Sequence, residues 1–180
     1  MMIIRSACMT LIGIMLFLLI FLPYAMAESF VGQWHVFHED NKAIAQTIDG
    51  FDKLRIEVTD NDQTRIVLSL HGFASFGTTE NVLEYASPIY GRIRTGNYVI
   101  QGQQVIIEDV YEVQRFIQNL RDISSHLIMA AENIGYSFTE RKVSIAYVNN
   151  HTPPLLKRSQ FSTVEIDEVL ELIGITEYSG

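Results

Sequence analysis

Lys53-Leu54-Arg55-Ile56-Glu57-Val58 and, beyond Asp60-Asn61-Asp62, Arg65-Ile66-Val67-Leu68-Ser69-Leu70 form the stretch from which the fold is read. Successive side chains of a strand point to opposite faces, so Leu54, Ile56 and Val58 share one side while Lys53, Arg55 and Glu57 share the other. Ile66, Leu68 and Leu70 resume the alternation after three residues that favour a turn. The pattern predicts a hairpin with one face in a core and the other in water.

Working outward, Trp34, Val36 and His38 alternate with His35, Phe37 and Glu39, and Ala43 to Ile48 is a second short strand. Downstream, strands are expected at 82–86, 89–94, 98–101 and 104–107, with turns at Gly96-Asn97 and Gly102. The period then changes. Asp109 caps a helix with Glu112 three residues on, and Val113, Phe116, Ile117, Leu120 and Ile123 fall on one face, which predicts a helix over about 109–124. Strands return at 127–131 and 142–148, with a turn near Glu140-Arg141, and Pro153-Pro154 ends that run.

A second helix is expected over about 162–173. Ser162 and Glu165 form its capping box, Phe161 and Ile166 its staple, and Gly174 its stop. Its apolar stripe, Ile166, Val169, Leu170 and Ile173, must be covered by the protein's own sheet or by a partner's groove, so these four are candidate partner-binding residues. Eight or so short strands with one inserted and one terminal helix predict a mainly β, α+β single domain over 28–180, an antiparallel sandwich or barrel. A parallel α/β fold would need helices between most strands, and the first half has none.

The front of the chain reads differently. Residues 1–27 carry one charge, Arg5, then an apolar run from Met9 to Leu22, Pro23, and the small residues of Ala25-Met26-Ala27. This is the pattern of a secretory signal peptide cleaved between Ala27 and Glu28; the alternative is an uncleaved membrane anchor. The expected compartment is the periplasm or the extracellular space. Cys8 precedes the apolar run, whereas a lipid-modified cysteine follows it. Cleavage would remove Cys8, the only cysteine, which excludes disulfides, thiolate metal sites and a cysteine nucleophile from the remainder. At roughly 150 residues such a domain buries enough surface to fold without staples.

Of the 180 residues 48% are hydrophobic and 19% charged, with a formal net charge of -8, and loss of Arg5 makes the body one unit more acidic. Phosphate backbones and anionic lipids repel such a surface, so neither nucleic acid nor, after cleavage, a membrane is an expected partner. Another envelope or extracytoplasmic protein is. The nearest approach to a basic patch is Lys157-Arg158.

No complete catalytic set, metal site or cofactor motif is read. His35-Val36-Phe37-His38-Glu39-Asp40 is the only histidine cluster, and on a strand His35 and His38 point to opposite faces. Gly135-Tyr136-Ser137-Phe138-Thr139 resembles half of the nucleophile elbow of serine hydrolases, but Thr139 replaces the second glycine and His151 precedes Asp167. Asn150-His151-Thr152 fits an N-glycosylation sequon.

Gly32-Gln33-Trp34 resembles the lipocalin G-x-W signature. That resemblance implies a barrel, and a carrier would hold a small apolar ligand in a barrel or between sheet and helix, with Trp34, Phe73, Phe76 and Tyr98 as candidate lining; Phe73 and Phe76 fall in an expected Gly72–Thr79 loop, where plugging the core is the favoured reading. The chain is also similar to small periplasmic sandwiches of the invasion-associated locus B type, without their paired cysteines. The two expectations carried forward are therefore an exported non-enzymatic domain that binds or scaffolds an envelope protein, and a lipocalin-like carrier.

Overall fold

The computed structural model describes residues 28–71, 81–125, 141–149 and 155–176. Residues 1–27 with the expected signal peptide, the loop expected at 72–79 with Phe73 and Phe76, the strand expected at 127–131, the elbow-like run at 135–139 and the sequon lie outside them. The elements are β1 (Ser29–Val31), β2 (Trp34–Glu39), β3 (Lys42–Asp49), β4 (Asp52–Val58), β5 (Thr64–Ser69), β6 (Asn81–Ser87), β7 (Gly91–Thr95), β8 (Val99–Gln101), β9 (Gln104–Ile107), α1 (Val110–Ser124), β10 (Lys142–Asn149), β11 (Leu155–Ser162) and α2 (Ile166–Leu172).

Two antiparallel sheets result, one in the order β1-β2-β3-β4-β5-β9-β8 and the other β11-β10-β6-β7. The β4–β5 hairpin pairs Leu54 with Leu68 and Ile56 with Ile66, and all four are fully buried. They face a shared core with Leu83, Tyr85, Val143, Ile145 and Phe161 of the second sheet. α1 contacts β5 of one sheet and β6 and β10 of the other, while α2 packs on α1 and β2. The architecture is thus a mainly β, sandwich-like α+β domain. The barrel alternative is corrected: among the described residues no strand of one sheet pairs with a strand of the other, and each sheet keeps its own edges.

The outer face of the first sheet is drier than its alternation implies. Ile44, Glu57, Val67 and Ile106 are buried there. Arg65 Nε donates to Glu57 Oε2 at 2.8 Å, and Arg55 stands directly across from Val67, so long side chains shade apolar neighbours with their stems.

α1 forms where its pattern predicts. Asp109 Oδ1 accepts the Glu112 N–H at 3.0 Å, and Val113, Phe116, Ile117, Leu120 and Ile123 face inward. The second helix is shorter than expected, because Ser162 is the last residue of β11, opposite Lys142, and Thr163 donates both its N–H and its hydroxyl to Arg141 O. Strand pairing takes the residues the capping box needed; Glu165 instead precedes the helix in a left-handed conformation, φ 61°, with no side-chain cap. The stop holds. Gly174 has φ +83°, its N–H bonds Glu171 O, and the Ile175 N–H bonds Leu170 O, which is the Schellman pattern.

β1 and β11 were not foreseen, and residues 89–90, expected in a strand, form the turn before β7. Gly32-Gln33 is the two-residue turn of the β1–β2 hairpin, which pairs Val31 with Trp34. Gly32 has φ +57°, and a Cβ there would meet Glu165 Oε2 at 2.6 Å. The G-x-W triplet therefore serves a hairpin rather than the mouth of a barrel.

Candidate functional site

Ser87 begins the site. Its hydroxyl accepts the N–H groups of Ile89 and Tyr90 at 3.3 and 3.2 Å, a side-chain turn that, with Gly91 at φ +77°, reverses the chain between β6 and β7. Ile89 and Tyr90 stand out into solvent at its tip. β7 then runs Gly91-Arg92-Ile93-Arg94-Thr95, with Ile93 inward and Arg92 and Arg94 outward. Both arginines reach one buried carboxylate across the pair. Arg94 Nε donates to Glu84 Oε2 at 2.9 Å, and Arg92 Nη1 lies 3.8 Å from Glu84 Oε1.

α1 supplies the facing wall. Asn119 Nδ2 donates to Ala86 O at 2.9 Å and Phe116 meets Tyr85 edge-on at 5.0 Å, which locks the helix to β6. Arg115 is bonded to Glu112 and lies over the exposed ring of Tyr111, 5.5 Å from its centroid. Burial pushes the Tyr85 hydroxyl up to about 12, with the Arg115 charge acting in the other direction. Arg121 Nε donates to Asp167 Oδ1 of α2 at 3.0 Å.

Between these walls lies a groove of about 620 Å³. Four arginines, Arg92, Arg94, Arg115 and Arg121, line it against one carboxylate, Asp122, in a chain whose net charge is -8. The acidic partners Glu84 and Glu112 are buried behind their arginines, so Arg92 and Arg94 present half-exposed guanidinium groups, whereas Arg121 is more covered and its partner Asp167 is exposed. With Tyr90 and Tyr111 as aromatic shoulders, the arrangement suits an anionic protein surface or peptide. No signal local in the sequence marks it, because Arg92 and Arg94 come from a strand and Arg115 and Arg121 from a helix.

The residues singled out from sequence lie elsewhere. Trp34 is fully buried in the core, and the Tyr98 hydroxyl donates to Asn81 O at 2.7 Å while its ring meets Tyr147. Phe73 and Phe76 fall outside the described residues. Ile166, Val169, Leu170 and Ile173 are buried against the domain's own core, the first of the two covers expected for that stripe. His35 is stacked between Phe30 and Phe37, whereas His38 is exposed. Among the described residues no group of three or more His, Cys, Asp or Glu converges to hold a metal.

A second polar cluster sits where β11 passes β3 and β4. Asp52 accepts the His71 N–H at 2.7 Å and the Ser159 hydroxyl at 2.5 Å, and Lys157 Nζ lies 3.0 Å away. Burial would raise the Asp52 carboxyl, but Ser159, the His71 N–H and Lys157 outweigh it and hold the carboxyl below its usual range. A carboxylate so occupied is a poor base, and Ser159 is itself buried. With Asp49 Oδ2 accepting the Gln160 N–H at 2.7 Å, the cluster ties one sheet to the other. It also absorbs Lys157, half of the only basic pair that stood out in the sequence.

In comparisons with known proteins, no family model, curated protein or solved structure matches the chain.

Proposed function

We propose that this chain is an exported, non-enzymatic β-rich domain that binds another envelope or extracytoplasmic protein, and that it does so through the β7–α1 groove. The observation that carries the reading is the groove's lining: four arginines and two exposed tyrosines gathered on one side of an acidic chain. Arginine and tyrosine are the residues on which protein-binding energy concentrates, and buried Glu84 and Glu112 hold Arg92, Arg94 and Arg115 in place before any partner arrives. Export is supported by the signal-peptide pattern of residues 1–27.

The test is a photo-crosslinking amino acid in place of Tyr111 or Tyr90 in the producing cell, with one in place of Phe51, 78% exposed in the β3–β4 turn, as reference. A discrete adduct with one protein from positions 90 and 111, absent from position 51, is expected, and the recovered chain should begin at Glu28. Adducts of equal yield from all three positions, or none from the groove, would overturn the reading.

A further inference from the structure

α2 turns its apolar stripe into the core and a charged face to solvent. Asp167, Glu168 and Glu171 are exposed on that face, with Leu172, 48% exposed, beside them. Glu171 lies in the last turn, where the helix dipole disfavours a carboxylate, and α2 has no basic residue there to offset it. Among the described residues Glu168 and Glu171 make no ion pair, so neither charge serves the domain's own packing.

This acidic face adjoins the basic groove. Arg121 lines the groove from α1, and its Nε donates to Asp167 of α2 at 3.0 Å, so the two surfaces meet at that pair. On the groove side stand Arg94 and the exposed rings of Tyr90 and Tyr111. Arg94 gives its Nε to Glu84 while its side chain stays 45% exposed. A guanidinium carries five N–H groups, so one carboxylate does not exhaust it.

We infer that the groove takes the acidic face of α2 from a second copy of this chain, in a closed two-fold dimer. The inference rests on the reading of the groove as a protein-binding surface and gives that surface an occupant with which the envelope partner competes. Two chains of net charge -8 repel each other as wholes, so the locally basic groove is where an acidic face finds a favourable approach. Unlike patches on opposite sides of a molecule build open chains. Patches that adjoin can be exchanged across a two-fold axis, each copy's acids meeting the other's bases, so the contact is made twice and the assembly closes. The Arg121–Asp167 boundary then lies near the axis, Glu168 and Glu171 answer Arg94, and Leu172 packs on a tyrosine ring of the opposite copy.

The test is analytical ultracentrifugation of the protein recovered from its producing cell. A reversible monomer–dimer equilibrium is expected, with nothing larger. Its dissociation constant should rise at least tenfold at about 0.5 M salt and in Glu168→Lys/Glu171→Lys, both exposed positions, and several-fold in Tyr90→Ala. A photo-crosslinking residue at position 168 should give an adduct of twice the chain's mass, joined at segment 90–94 or 111–115 of the second copy. A monomer at every concentration overturns the dimer, and so does a dimer indifferent to the lysine variant. Growth into longer chains overturns the two-fold closure. A monomer that still forms the position-111 adduct with another protein refutes the dimer and leaves the protein-binding reading standing; neither dimer nor adduct refutes both.

Discussion

Asp52 and Glu84 are each about 4% exposed, and each is a carboxylate at the centre of a polar cluster, yet the two clusters face opposite ways. Asp52 is surrounded by groups that belong to the fold: a serine of β11, the His71 main-chain N–H and one lysine. Glu84 is surrounded by Arg92 and Arg94, whose side chains are 54% and 45% exposed. One carboxylate closes a seam between sheets. The other anchors cations at a surface. A buried acid thus says little about function until the exposure of the groups that satisfy it is known.

The sharpest way to break the comparison is Asp52→Ala, which leaves the Ser159 hydroxyl and His71 N–H unsatisfied and Lys157 without its ion. A loss of about 3 kcal/mol is expected from urea denaturation, with the position-111 crosslink unchanged in the folded fraction. An unchanged urea midpoint would show that the seam is not held there. The same carboxylate gives the clusters different acid behaviour. Its folded-state pKa lies below the unfolded value of about 3.9, so its contribution is present above that pH and is lost as pH falls through the folded pKa. Wild type should therefore lose stability below about pH 4 more steeply than Asp52→Asn, as read from melting temperatures across a pH series.

Glu84→Gln should cost less, about 1 kcal/mol, because half-exposed Arg92 and Arg94 return to water. Its larger consequence should be functional: with the arginines no longer anchored, the position-111 crosslink should drop several-fold. A crosslink at full yield would separate Glu84 from the groove. The smallest stability effect belongs to Tyr111→Ala. Its ring is 67% exposed, so stability should change by under about 0.5 kcal/mol in urea denaturation while the position-90 crosslink falls. A large thermal shift would instead place Tyr111 with the structural cluster.

Much of the fold was legible because it rests on contacts near in sequence. Leu54, Ile56, Ile66 and Leu68 carry their strand assignment in their alternation, Asp109 caps a helix by accepting the N–H three residues on, and Gly174 supplies the φ that a helix end needs. β11 was missed because Leu155-Leu156-Lys157-Arg158-Ser159-Gln160-Phe161-Ser162 shows no two-residue alternation of apolar and polar types. Ser162 made the error consistent, since its hydroxyl suits a helix cap until Lys142 is known to lie opposite.

Spacing along the chain therefore determined the β-rich character, the β4–β5 hairpin, the position of α1 and the amphipathic stripe of α2. Tertiary structure alone decided that the sheets stay open, that the stripe of α2 turns inward, that Lys157 belongs to a seam, and that Arg92, Arg94, Arg115 and Arg121 line one groove. The physical reason is the range of the interactions. Alternation and capping act within a few residues, whereas Glu84 gathers its arginines across a strand pair, and Asp52 reaches Ser159 over 107 residues of chain.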